Sequence, residues 1–328
     1  MKMQMKVLAA AISAIGMLGS VHASTQGQAI LNVTNVLFYD NATNTVLDSS
    51  DFVQLPNLGG LFITDSTNLN PSVNGVFNPY ANSVNGGNPL PLTVRCVAAG
   101  CPGMNSGAPF IAAVSPPTND GAMAASSLDG NPITGLAQPS AGGADARASS
   151  LAQLTGNGTA NTTASLTLAS VFTFTPLNDT TVRFEFDAFK YMLAYTDSPI
   201  NATSGVAWNM SIQDTSTNTE VFDWSPDGLG GGFTAGGTLI TDAGCSMNDS
   251  VTAFFPASVS PGETCSGSLK ALSPLLVAGK TYNLSINHQT QAVVNNLNLV
   301  PEPSSLLLAG LALAGLGVAA RRKAPSAG

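Results

Sequence analysis

The sequence predicts an all-β protein: a β-sandwich-like body interrupted by a long low-complexity insert, with an apolar helix at either end. Three observations carry that prediction. Apolar and polar residues alternate at period two in several segments of the body, the pattern of a strand with one buried and one wet face. Gly, Pro, Asn and Asp punctuate those segments at short intervals, with 33 Gly and 20 Pro in 328 residues, as turns between short strands require. No part of the body shows a long 3.6-residue amphipathic repeat with caps.

Only 9% of residues are charged, well below the roughly 25% of an ordinary soluble domain. Asn, Ser, Thr, Ala and Gly fill the deficit, a balance that argues against a typical cytoplasmic enzyme and for an exported, loop-rich β protein.

At the N-terminus Lys2 and Lys6 precede an apolar run from Val7 to Val21. Val21, His22 and Ala23 form a small-x-Ala site before Ser24, so residues 1–23 read as a signal peptide cut by signal peptidase between Ala23 and Ser24. The run is short for a membrane span of about 20 residues. Residues 24–97 follow as an N-terminal β segment, with strands expected over Ala29 to Phe38, Gly60 to Thr64 and Leu92 to Val97.

Residues 98–162 read differently. Stretches such as Ala141-Gly142-Gly143-Ala144-Asp145-Ala146 have almost no large apolar side chains, and burial of so little surface is not expected to offset the entropy of ordering. The segment is therefore predicted to be a flexible insert. Residues 163–300 carry the main sandwich. Val182, Phe184 and Phe186 alternate with polar neighbours, as do Val206, Trp208, Met210 and Ile212, and Tyr282, Leu284 and Ile286. Further strands are expected over Ser165 to Thr175, Phe189 to Tyr195, Phe233 to Ile240, Leu269 to Val277 and Val293 to Leu299.

The C-terminal segment, residues 301–328, has three parts. Pro301-Glu302-Pro303 is a rigid, extended strip, because proline fixes φ and biases its predecessor away from helix. The uncharged run from Ser304 to Ala320 would make about 25 Å of helix, slightly short of a ~30 Å hydrocarbon core. Arg321, Arg322 and Lys323 then form a stop-transfer cluster that holds this end in the cytoplasm.

These three parts, in this order, resemble the PEP-CTERM sorting domain of Gram-negative bacteria. The resemblance implies that exosortase, a membrane transpeptidase-like enzyme, removes the tail after transient inner-membrane anchoring and passes the body to the cell surface or the extracellular polysaccharide matrix. Pro301, Glu302 and Pro303 would be residues acted upon. A eukaryotic lipid-anchor signal is the nearest competitor, but the basic cluster and the missing polar spacer argue against it. The body itself, through Thr181 to Ala188, Tyr191 to Asp197, Trp208 and Gly279 to Ile286, is similar in pattern and order to EDSAP-type exosortase-dependent surface proteins.

Setting both end segments aside sharpens the charge. Lys2, Lys6, Arg321, Arg322 and Lys323 leave with them, so residues 24–300 hold 18 acidic and 6 basic residues, about −12 against −8 for the whole chain. Such a surface lacks the basic footprint of a nucleic-acid or anionic-lipid binder.

Four cysteines in an exported chain suggest two disulfides. The spacing offers Cys96 with Cys101 and Cys245 with Cys265, although three pairings are open in principle. Asp223 and Asp227, beside Gly228 and Gly230 to Gly232, are weak candidate calcium ligands; a Pro226-Asp227-Gly228 turn accounts for the same residues. Trp208, Trp224, Tyr191 and Tyr195 are candidates for a sugar-stacking platform or, more simply, for the core. His288 has no nucleophile elbow to serve, and no carboxylate pair stands out. The expectation is a non-enzymatic surface or matrix protein without a cofactor, structural or adhesive in biofilm exopolysaccharide. A carbohydrate-binding module is the alternative and a secreted hydrolase the third reading.

Overall fold

The computed structural model of the chain describes residues 24–53, 64–85, 89–98, 119–130, 132–133, 143–156, 158–197, 201–254 and 258–296. In chain order the first strands are β1 (Thr25–Asp40), β2 (Thr45–Val46), β3 (Thr64–Leu69), β4 (Ser72–Val73), β5 (Val76–Phe77), β6 (Tyr80–Asn85), β7 (Leu90–Val97), β8 (Gly121–Asp129) and β9 (Ala144–Leu154). They are followed by β10 (Gly158–Phe174), β11 (Thr180–Thr196), β12 (Ala202–Asp214), β13 (Thr219–Trp224), β14 (Phe233–Ala235), β15 (Thr238–Thr241), β16 (Asp249–Ala253), β17 (Ser258–Leu276) and β18 (Tyr282–Asn296). Among the described residues there is no α-helix. The two apolar end segments lie outside the described residues.

Two antiparallel sheets form a sandwich. The first runs β15-β17-β11-β1-β9-β8-β7, with β2 on β1; the second runs β14-β13-β12-β18-β10-β3-β6, with β16 on β12 and the β4–β5 hairpin on β10. Both sheets mix early and late strands. β1 lies between β11 and β9, and β10 lies between β18 and β3.

Alternation explains the strands one by one. Along β11, Val182, Phe184 and Phe186 are buried while Arg183 and Glu185 are half-buried and Asp187 is exposed. The same two-residue pattern runs through β12 and β18. The alternating segment of Val182, Phe184 and Phe186 and the strand expected over Phe189 to Tyr195 form one continuous strand, because β1 pairs with both.

The interior tapers. At one end, rings fill the space between the sheets: Phe38 and Phe184 lie 5.0 Å apart, Phe186 and Trp208 4.6 Å, and Trp208 and Trp224 5.8 Å. At the other end the core consists largely of Ala122, Ala152, Ala160, Ala194, Ala202 and Ala292, with Leu154 and Val294. A Cβ on Gly27 of β1 would stand 2.8 Å from the Thr203 carbonyl of β12 in the facing sheet, so only glycine permits that approach. Short polar side chains bridge the sheets along the tapered half. Ser150 of β9 donates to the Thr290 carbonyl at 3.0 Å, Thr162 of β10 donates to the Met123 carbonyl at 3.1 Å, and the Thr67 and Ser126 hydroxyls lie 2.5 Å apart.

The described parts of residues 98–162 correct the expectation of a flexible insert there; residues 99–118, 131, 134–142 and 157 lie outside the described residues. Within that range, β8 and β9 are ordered strands, and β9 pairs with the central β1 from Thr25↔Leu154 to Val36↔Ala144. Ala144, Ala146 and Ala148 are buried in the main core, in the same cluster as Val36 and Leu128, and Ala152 in the alanine-rich cluster. Small side chains suffice there because neighbouring residues fill the remaining space to native density.

Candidate functional site

Both ends of the described body lie at the tapered end of the sandwich. Thr25 begins β1 opposite Thr196 and Leu154, and Asn296 ends β18 opposite Gly158. The residue expected to open the mature chain, Ser24, is 4% exposed. Its backbone N–H donates to Asp197 Oδ1 and its hydroxyl donates to Asp197 Oδ2 at 2.6 Å. The Asp197 N–H donates back to the Ser24 carbonyl at 3.1 Å. The other residues expected to be processed or to stop transfer, Ala23, Pro301, Glu302, Pro303, Arg321, Arg322 and Lys323, lie outside the described residues.

The disulfide expectation is met for one pair. Cys245 and Cys265 are bonded, with Cα atoms 5.9 Å apart, joining the loop before β16 to β17. Cys96 of β7 is also disulfide-bonded, and Cys101 lies outside the described residues.

Asp223 and Asp227 serve local structure. Asp227 Oδ1 accepts the Leu229 N–H at 2.9 Å and the Gly231 N–H at 3.2 Å, closing an Asx-type turn. Asp223 Oδ2 accepts the Thr234 hydroxyl across the β13–β14 pair. No group of three or more metal-ligating side chains occurs among the described residues.

Of the four aromatic candidates, only Tyr195 is half-buried; the other three are buried. Trp208 and Trp224 are 1% and 0% exposed, and they belong to the wide end of the core. Tyr191 is buried on the opposite face of the first sheet with Ile30 and Leu193. His288 sits in the middle of β18, fully buried, where it bridges the sandwich. Its Nε2–H donates to the Leu31 carbonyl of β1 at 2.8 Å, which leaves Nδ1 as the bare nitrogen, without a partner among the described residues. Burial pushes its pKa down to about 4, against the raising effect of the Leu31 hydrogen bond.

A surface feature not singled out in the sequence lies on the outward face of the first sheet. Register places Arg147, Asn32, Phe189 and Ser266 in one row across β9, β1, β11 and β17, and Thr34, Asp187 and Ser268 in the next. These side chains line an open groove of about 440 Å³. A bulge in β1 between Thr34 and Leu37 borders it. There Asn35 takes a left-handed φ of 57°, and its amide donates to Asp187 Oδ2 at 2.9 Å. Bulges re-aim side chains beside sites, and this one turns a polar row into a concavity. The sequence hides it because the row gathers single residues from four strands.

Residues 299–323 match the PEP-CTERM protein-sorting motif. The motif sits at the C-terminus, directly after the strand that closes the sandwich, and it implies exosortase-dependent export and surface localisation. No curated protein matches the chain. Among the described residues no helix is long and apolar enough to cross a membrane.

Proposed function

We propose that this protein is a non-enzymatic structural or adhesive component of the cell surface or its exopolysaccharide matrix. Signal peptidase would open its chain at Ser24, and the C-terminal signal would hold it in the inner membrane until exosortase releases it. The observation that carries the reading is the PEP-CTERM match over residues 299–323 following an acidic β body with six basic residues. A surface so poor in cations is soluble among anionic polymers and has little attraction for nucleic acid. Mass spectrometry of surface-delivered protein tests the sorting step. Peptides ending near Pro301-Glu302-Pro303 are expected, and intact peptides running through that motif into Leu306 would overturn it.

The carbohydrate-binding reading survives in a changed form. Its support is the groove on the first sheet, where Phe189 offers an apolar surface and Asn32, Asp187 and Arg147 offer hydrogen-bonding groups, the mixture that sugar rings require. Glycan-array binding that persists in Trp208→Phe and disappears in Phe189→Ala with Arg147→Ala would favour it over the structural role. Hydrolysis of a polysaccharide by the purified protein would overturn the non-enzymatic reading.

A further inference from the structure

The carboxylate of Asp197 is aimed at the backbone nitrogen of Ser24. The chain reaches Asp197 directly from β11, the neighbour of β1, and the two residues close a ring: Ser24 donates through its nitrogen and its hydroxyl, and Asp197 donates back to the Ser24 carbonyl at 3.1 Å. Tyr195 supplies a further hydroxyl to Asp197 Oδ2 at 3.4 Å. Asp120, which precedes β8, is engaged elsewhere: its Oδ1 accepts both the N–H and the hydroxyl of Thr155, each at 2.7 Å. Thr25, the next residue, is fully buried, and Asp197 is half-buried, so the contact sits at the edge of packed structure.

We propose that Asp197 is a built receptor for the α-ammonium that removal of the signal peptide creates on Ser24, so that processing itself locks the central strand β1 into register. The proposal rests on cleavage between Ala23 and Ser24. Hydrolysis of that bond consumes one water. Its oxygen leaves on the Ala23 carboxylate, and both of its protons end on the Ser24 nitrogen, which becomes a cation near neutral pH, since a free α-amine titrates near 7.7–8.0. A neutral amide hydrogen bond to a carboxylate thus becomes a charge-assisted one between full opposite charges. In a part-buried contact such a pair is screened by salt less than a fully exposed one.

The consequence is positional. Register matters here because a slip by one residue would carry the inward side chains of β1, such as Ala29, Leu31 and Val33, to the other face of the sheet. A cation held one residue before the strand marks its register at the point where pairing would otherwise fray. Cleavage one residue earlier or later would put the charge out of reach of Asp197.

The test uses exported protein recovered from the cell surface, with its N-terminus read by mass spectrometry. The native protein is pulsed at pH 7 with an N-hydroxysuccinimide ester, and acylation of the Ser24 amine is compared with that of the same protein unfolded in urea. An ion pair that raises the amine pKa by one unit slows acylation about tenfold, so native labelling at least that much slower is the expected result. Asp197→Asn, checked by circular dichroism for retained β structure, is expected to abolish the protection, and Asp197→Glu to restore part of it. Native labelling as fast as in urea, with Ser24 confirmed as the first residue, would overturn the receptor alone. A first residue other than Ser24 would overturn the cleavage reading and the proposal together.

Discussion

His288 shows how one side chain can set a pH limit for the whole sandwich. It is buried between the sheets with its Nε2–H on the Leu31 carbonyl, and burial holds its pKa near 4. The unfolded chain protonates the same ring near 6.5. Between those values the unfolded state binds more protons, so the stability associated with neutral His288 is complete above about pH 6.5 and is lost as pH falls toward 4, about 3 kcal/mol in all. Asp214 works at lower pH. The Ser216 hydroxyl, followed by Lys280, depresses its pKa to about 2, so its contribution is present above the ordinary carboxylate value and disappears as pH falls through about 2. The two are separable: urea unfolding between pH 7 and 4 should steepen in the wild type and flatten in His288→Gln, whereas parallel curves would show that His288 does not titrate in this range. The alternation of β18 around this residue is visible in the sequence. That a polar ring occupies an inward position is not, because it depends on a carbonyl 257 residues away in sequence.

Elements were legible where large side chains mark one face. Phe184, Phe186, Trp208, Met210, Leu284 and Ile286 announce β11, β12 and β18, and all are buried. Strands β8 and β9 were missed for the complementary reason. In β9 the alternation is present, with Ala144, Ala146 and Ala148 buried and Asp145 and Arg147 half-buried between them. Alanine, however, carries little apolar surface, and its burial here depends on the larger residues from other strands that share its core cluster, which no local window reveals. The taper predicts intolerance to added volume. Gly27→Ala should destabilise by about 1–3 kcal/mol, since its new methyl would meet the Thr203 carbonyl at 2.8 Å. A chemical-denaturation midpoint measures this, and an unchanged midpoint would show that β1 and β12 can move apart. The disulfide acts on another element. Removing it in a Cys245→Ser, Cys265→Ser pair frees a 19-residue excursion and should cost about 3 kcal/mol in the loop-entropy model, without disturbing β1 or β9.

At the scale of the molecule, address and body are separable. The compact unit that holds the sandwich ends at Asn296, and the sorting motif begins within three residues of that boundary, at 299. The last strand in sequence, β18, lies inside the second sheet, and among the described residues its pairs with β10 and β12 end by Asn296, before the signal begins. Folding should not need the tail, while delivery should depend on it entirely. A chain ending at Asn296 is thus expected to unfold within about 0.5 kcal/mol of the surface-delivered protein, the scatter of changes that touch no core contact. In cell fractionation it should be absent from the surface. The reciprocal experiment joins residues 297–328 to an unrelated exported β-sandwich, which should then be carried to the surface. If the truncated body unfolds far more easily, the tail takes part in the fold, and if it still reaches the surface, an address lies within the sandwich itself.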